Sequence, residues 1–276
     1  MSPVPQTVSP PADSRLKSWF SASRAAGRLA LMPFVPAGYP SLEATRAVLC
    51  RLGGDAAGGV IEVGIPFSDP IADGPVIQAA FAHALQQGVT LDGVLSAVAG
   101  VRERVAVPLV AMVSYSLAFR RGVARFFQQL REAGFDGLIL PDLPPPEAEP
   151  VVAAAWAAGL ETALLSAPTT PPERRRTIAA LSSGFVYCLS VTGITGERRE
   201  LPAELSEHLA GLRAVTERPL CVGFGISSPE HLRMLQGKAD GAIVGSALVR
   251  RMREQGDAPD AVARASAAFC ENLRGG

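Results

Sequence analysis

The chain has 276 residues, 48% of them apolar, and its 26 basic residues balance 26 acidic ones. That length suits two smaller domains or one α/β barrel of about 250 residues, with a core that needs no disulfide or metal staple. Zero net charge gives no whole-molecule field for nucleic acid or for an anionic membrane surface. Of the 26 basic residues only Lys17 and Lys238 are lysine, so 24 are arginine and any lysine-dependent chemistry has two candidates.

The first 13 residues are rich in Pro and Ser and lack an apolar signal core, so they read as a disordered tail. Residues 14–28 follow as a short amphipathic helix capped by Asp13 or Ser14. From there apolar β-rich runs alternate with segments of helical period. Strands are predicted at 29–35, 60–64, 109–113, 137–140, 161–165, 185–189, 220–223 and 242–244. Helices are predicted at 42–52, 76–87, 119–133, 146–158, 172–181, 203–215 and 229–235, many opened by Ser, Pro or Asp and closed near Gly. Eight strands alternating with helices and no linker predict a single (β/α)8 TIM barrel over residues 14–276, with an extra N-terminal helix. Periodicity alone leaves an open doubly wound sheet as the alternative, although no G-x-G-x-x-G follows the first strand. The longest soft run, 151–160, is far short of the ~20 residues that span a bilayer. The four cysteines stand apart, without C-x-x-C or a histidine at ligand spacing, and read as buried thiols of a reducing cytoplasm.

In such a barrel the chemistry gathers at the C-terminal ends of the strands. Glu62 is the odd residue there, an acid inside an apolar strand, costly unless it is bonded, paired or kept protonated. Asp73 comes eleven residues later in a loop that could fold over the barrel mouth. Together they could act as a proton donor/acceptor and a fixed negative charge. Equally, Asp73 could cap the helix behind Pro75 and Glu62 could be a satisfied buried acid. Glycine-rich turns at 193–196, 223–225 and 245–246 set backbone N–H groups beside helix starts, a suitable cradle for phosphate. His83, His208 and His231 fall within helices and support no metal site. Lys17 precedes the barrel and Lys238 sits on its other face, so a Schiff base has no lysine to use.

The run from Ile61 through Glu62, Ser68-Asp69-Pro70 and Asp73 to Pro75 resembles the hallmark segment of the tryptophan synthase α chain family. Pro33-Phe34-Val35, Pro141-Asp142-Leu143-Pro144, Tyr187-Cys188-Leu189-Ser190, Gly193-Ile194-Thr195-Gly196, Gly223-Phe224-Gly225-Ile226-Ser227 and Gly245-Ser246 match in order, over roughly residues 15–255. The resemblance implies a barrel that cleaves indole-3-glycerol phosphate to indole and glyceraldehyde 3-phosphate. It makes Glu62 the general acid/base and Asp73 the carboxylate that steadies the indole N–H. Phe34, Ile77 and Tyr187 would line the pocket, Gly196, Gly225, Gly245 and Ser246 would hold the phosphate, and Thr195 and Phe224 would also bind substrate. It implies no cofactor in this chain, and a tryptophan synthase β chain carrying pyridoxal phosphate as partner in an α2β2 heterotetramer. Ser68-Asp69-Pro70 and the loop from Asp142 to Pro144 match regions that face that partner. The chain departs from the family at Ser114-Tyr115-Ser116, where Tyr-x-Asn is usual, and in a longer approach to the second strand at 54–59. A stand-alone lyase releasing free indole, and a non-catalytic activator of a β chain, are the alternative readings.

Overall fold

The computed structural model describes residues 9–54, 59–70, 73–190, 203–223 and 225–275. Nine parallel strands lie within them: β1 (Ala30–Pro36), β2 (Ile61–Gly64), β3 (Leu109–Met112), β4 (Gly137–Ile139), β5 (Glu161–Ala163), β6 (Leu165–Ser166), β7 (Val186–Leu189), β8 (Leu220–Gly223) and β9 (Gly241–Val244). Their order is β5-β4-β3-β2-β1-β9-β8-β7-β6. Only Leu164 separates β5 from β6, so the two ends of that order are halves of one strand and the sheet closes on itself. Gly184 N to Thr162 O and Tyr187 N to Leu164 O, each 3.0 Å, continue the seam between the halves. The eight-strand barrel read from the sequence is present, with its fifth strand broken once.

Period-two alternation decides what faces the lumen. Ala30, Met32, Val60, Val110, Ile139, Ala163, Tyr187, Cys221 and Ile243 form one buried cluster inside the barrel. Leu31, Val35, Ile61, Val63, Leu109, Ala111, Val186, Cys188, Leu220, Val222, Ala242 and Val244 belong to the layer beneath the helices. Register then sets Phe34 beside Glu62 and Glu62 beside Val110.

The N-terminal helix Arg15–Ala25 stops the bottom of the barrel. Ser14 Oγ accepts from Lys17 N at 3.3 Å to open it, and the left-handed Gly27 (φ 61°) follows its end. Leu16 and Phe20 are buried with the lumen cluster, and the Phe20 ring packs on Phe185 at 5.9 Å. Burying side chains of this size contributes about 1.5–3 kcal/mol each. Lys17 Nζ bonds to Pro11 O at 2.5 Å and lies 3.6 Å from the buried Glu161 carboxylate. One of the two lysines is thereby a bottom-face ion-pair partner.

Helices fall close to their predicted spans, with instructive differences. The predicted helix 119–133 is two, Tyr115–Arg121 and Val123–Glu132, broken where Gly122 takes φ 87°. The predicted 146–158 becomes a 3-10 turn, Pro145–Glu147, followed by Ala148–Ala157. Two helices were not anticipated, Leu91–Ala99 and Pro259–Gly275, while the helix start expected at 245–246 opens Ser246–Arg253. No helix among the described residues is long and apolar enough to cross a membrane.

At the stability face one device occurs twice. Asp136, just before β4, accepts from Leu109 N at 2.9 Å, while its own N–H bonds back to Leu109 O at 2.8 Å. Asp240, just before β9, exchanges the same pair of bonds with Leu220, at 2.7 and 2.8 Å. Each carboxylate is held by arginine: Arg102 on Asp136 at 3.0 Å, and Arg24 and Arg213 on Asp240, both at 2.6 Å. Burial pushes the Asp240 pKa up, but the bonds from Arg24, Leu220 N and Arg213 outweigh it and hold the group below 3.8. Asp136→Ala is expected to destabilise the protein by about 2–4 kcal/mol, because it strands a strand N–H and a half-buried guanidinium. Chemical denaturation checks this, and a loss under about 0.5 kcal/mol would show that water replaces the carboxylate.

Candidate active site

Glu62 projects from the middle of β2 into the upper lumen because its neighbours Ile61 and Val63 pack outward. It is 0% exposed, and neither carboxylate oxygen has a hydrogen-bond partner among the described residues. Desolvation first, and the nearby Asp73 charge second, raise its pKa from 4.5 to about 8. The satisfied buried acid allowed by the sequence is therefore not what the fold builds. At neutral pH this is a protonated carboxyl with unused hydrogen-bonding capacity.

Asp73 lies in the loop between β2 and the helix Pro75–Gln86. Its N–H bonds to Pro70 O at 3.2 Å, and Gln78 Nε2 donates to its carbonyl at 2.9 Å, which ties the loop to the helix. Gly74, not Asp73, is the N-cap residue, with Pro75 in the first turn and no side-chain cap. The carboxylate is thus not consumed by capping. Desolvation raises its pKa from 3.8 to about 6. The two acids of the loop and strand are kept about two pKa units apart, one protonated and one ionised near neutrality.

Phe34, Ile77, Phe81 and Val249 form the apolar wall beside these acids. Tyr187 enters from β7, 9% exposed, and Glu62 and Asp73 both act on its hydroxyl electrostatically; burial chiefly drives its pKa up. Two glycines clear space for the rings. A Cβ on Gly223 would stand 2.2 Å from the Tyr187 hydroxyl oxygen, and one on Gly64 would stand 2.3 Å from the Phe34 ring. Side-chain-free positions here are as much part of the pocket as the rings. Phe81, Val249 and the partly buried Met112, which packs against the same wall, were not singled out in the sequence, and Gly64 and Gly223 entered only as members of longer motifs. The strand period that places Glu62 inward also places Met112 and Gly223 inward and could have found them.

Among the residues read as the phosphate cradle, Gly245 is the N-cap residue of the helix Ser246–Arg253 at the end of β9. A Cβ on it would be 3.8 Å from Phe34 and 4.0 Å from Ile77, so this helix start borders the same pocket. Gly225, after β8, has φ 65°, a left-handed conformation suited to glycine. Ser246 opens its helix and is partly exposed. Thr195, Gly196 and Phe224 lie outside the described residues.

On the rim, Ser114 Oγ donates to Asp142 at 2.6 Å and accepts from Ser116 N at 3.2 Å, while Tyr115 N donates to the other Asp142 oxygen at 2.7 Å. The unusual Ser114-Tyr115-Ser116 thus stitches the β3 loop to the β4 loop and caps Tyr115–Arg121. The histidines stay in helices: His83 Nε2 lies 3.1 Å from Pro40 O, and His208 Nε2 lies 3.2 Å from Ser166 O. His231 Nδ1 accepts from Ser227 N at 3.3 Å.

The cost of Glu62 has a definite pH dependence. Its folded pKa, about 8, lies above its ordinary 4.5, so the native state binds the extra proton between those values and stability falls as pH rises through that window. Glu62→Gln removes the titration. It is expected to unfold at a higher temperature than the parent at pH 8.5, by about 2–4 °C per kcal/mol gained, with the gain vanishing near pH 4.5. Thermal melts at the two pH values check this, and a pH-independent difference would contradict the raised pKa.

The comparisons agree on what this arrangement is. The family model described as tryptophan synthase alpha chain matches residues 20–276. A tryptophan synthase alpha chain from Thermosynechococcus vestitus is 47% identical over 261 residues, 94% of this chain and 96% of that one. One from Synechocystis sp. is 46% identical, covering 92% and 96%. Among solved structures, a chain of the tryptophan synthase a2b2 complex of Pyrococcus furiosus superposes with a TM-score of 0.83 at 37% identity, over 89% of this chain and 98% of that one. One of Mycobacterium tuberculosis tryptophan synthase gives 0.85 at 36%, over 95% and 98%. A barrel with a buried glutamate and a nearby aspartate at its mouth, matched along nearly its whole length, belongs to the tryptophan synthase alpha chain family.

Proposed function

We propose that Glu62 and Asp73 carry out the reaction of this family, the retro-aldol cleavage of indole-3-glycerol phosphate to indole and glyceraldehyde 3-phosphate. The observation that carries the reading is the Glu62 carboxyl, buried, without a hydrogen-bond partner, and facing the same pocket as Asp73. A carboxyl left in that state lowers stability, and proton transfer is the function that needs it.

Indole leaves poorly as a carbanion, so its C3 must first gain a proton. Glu62, protonated at neutral pH, supplies it. The ring becomes a cationic indolenine, and Asp73, ionised above pH 6, stabilises the charge at the N–H. The Glu62 carboxylate then takes the carbinol O–H proton. The oxygen forms the aldehyde carbonyl, the C–C bond breaks, and its electron pair returns to the ring to give indole. Glu62 ends protonated, as it began. Phe34 and Ile77 would hold the ring and Tyr187 would close one side. Gly196, Gly225, Gly245 and Ser246 would hold the phosphate by backbone N–H groups and a hydroxyl without a basic side chain, with Thr195 and Phe224 as further substrate-binding residues.

The relatives of known structure named above include an a2b2 complex, and the same α2β2 assembly follows for this chain, with indole passed to the β chain. The pyridoxal phosphate then belongs to the β chain, and this chain needs no cofactor of its own. A cytoplasmic location fits the free thiols and the soluble substrate.

Glu62→Gln is expected to lower kcat for indole release by about 10²–10⁴-fold, and Asp73→Asn by about 10²–10³-fold. Wild-type cleavage by Glu62→Gln would overturn the assignment. In the parent chain kcat/KM is expected to rise through about pH 6, as Asp73 ionises, and to fall through about pH 8, as Glu62 loses its proton. These limbs belong to the pair as a coupled system. A profile flat from pH 5 to 9 would leave the two acids without this role.

A further inference from the structure

The loop that leaves β1, residues 37–41, is held from two sides. Gly38 N donates at 2.8 Å to the buried Thr45 Oγ1 in the helix Leu42–Gly54. On the other side stands the half-buried His83, in the last half of the helix Pro75–Gln86. Its Nε2 lies 3.1 Å from the carbonyl oxygen of the buried Pro40, and its ring meets Tyr39 edge-on, with centroids 5.3 Å apart. A carbonyl oxygen only accepts, so Nε2 carries the proton and donates it. Tyr39 in turn packs against the cluster of Phe34, Ile77, Phe81 and Val249 that walls the pocket. That wall is built from two elements. Phe34 belongs to β1, whereas Ile77 and Phe81 belong to the helix, and the rings of Phe34 and Phe81 meet at 6.3 Å. Apolar contact sets how close the two elements stand but not how they slide past each other. A hydrogen bond has a length and a direction, and His83 supplies one between the helix and the loop that continues β1.

We propose that His83 is a positioning residue for the substrate ring: through Pro40 and Tyr39 it fixes the spacing of Phe34 against Ile77. The proposal rests on the reading above, in which Phe34 and Ile77 hold the indole ring. Asp73 is tied to the other end of the same helix, by Gln78 Nε2 on its carbonyl at 2.9 Å, so His83 acts on the wall and not on the acids. A wall that grips the ring before and during cleavage contributes uniform binding, which shows in KM and leaves kcat alone.

The test compares indole release by the full chain with that of two variants. His83→Phe keeps a ring beside Tyr39 but cannot donate, and His83→Gln carries an amide that can. KM for indole-3-glycerol phosphate is expected to rise about fivefold in His83→Phe with kcat within about twofold, and to return to the parent value in His83→Gln. The uncleavable 3-(indol-3-yl)propyl phosphate should lose affinity for His83→Phe by the same factor. Glycerol 3-phosphate, which has the phosphate but no ring, should inhibit parent and variant equally. A KM unchanged in His83→Phe, even with a lower melting temperature, would make His83 a structural residue and overturn the proposal. So would a loss confined to kcat, which would place the effect on Asp73, or failure of His83→Gln to restore KM. Equal weakening of glycerol 3-phosphate would overturn it too. If the parent binds the analogue but releases no indole, the cleavage reading fails; the wall is then decided by analogue affinity, and a ratio near one overturns it. His83→Met, which also lacks a donor, gives the same comparison if the phenylalanine does not fit.

Discussion

The burial of Glu62 inside the barrel, with no partner for either oxygen, is the constraint around which the upper half of the molecule is arranged. A carboxylate there would lose its hydration for nothing, so the group keeps its proton and its pKa climbs to about 8. Asp73 adds to that rise while remaining the more acidic of the two, because its loop leaves it closer to water. The difference between a strand position and a loop position is what separates two chemically similar side chains into an acid and an anion.

Holding such a pair open requires a frame that does not relax around it. The frame is assembled at the far end of the barrel. Phe20 and Leu16 fill the bottom of the lumen, and Asp136 and Asp240 each fasten one strand start to its neighbour through one backbone bond and one bond accepted by the carboxylate. Arginines hold both aspartates. The acids at the bottom therefore have cationic partners and stabilise the fold, whereas Glu62 at the top has none among the described residues. The lysine scarcity fits the same division. Lys17 is tied to Glu161 and Pro11 below the barrel, and Lys238 precedes β9 at the same end.

Much of the fold was legible in the sequence. Apolar runs in strands buried on both sides are hard to mistake when they recur eight times with helical segments between them, and all eight appear within a residue or two. What failed was local. Gly122 interrupts a continuous amphipathic pattern because its φ of 87° is a backbone choice that hydrophobic period does not encode. The helices Leu91–Ala99 and Pro259–Gly275 hid in connections where a barrel strand was expected next, or where no strand followed. Glu62 and Asp73 stood out as acids in unusual company. Gly64 and Gly223 stood only within longer motifs and not as pocket positions, because the reason for a missing side chain is the ring that occupies its place.

The opposed roles of the Asp73 carboxylate, cap or free anion, could not be separated by spacing, since Gly74 and Asp73 are both acceptable before Pro75. The sequence by itself determined the alternation, the two acids, the glycine turns and the near absence of lysine. Those follow from residue type and period, which are local properties. Only the tertiary structure decided that Glu62 has no partner, that Gly74 leads the helix, and that Phe34, Ile77, Tyr187 and Gly245 meet around them. Desolvation and contact depend on residues far apart in the chain, and closing the barrel is what brings those residues together.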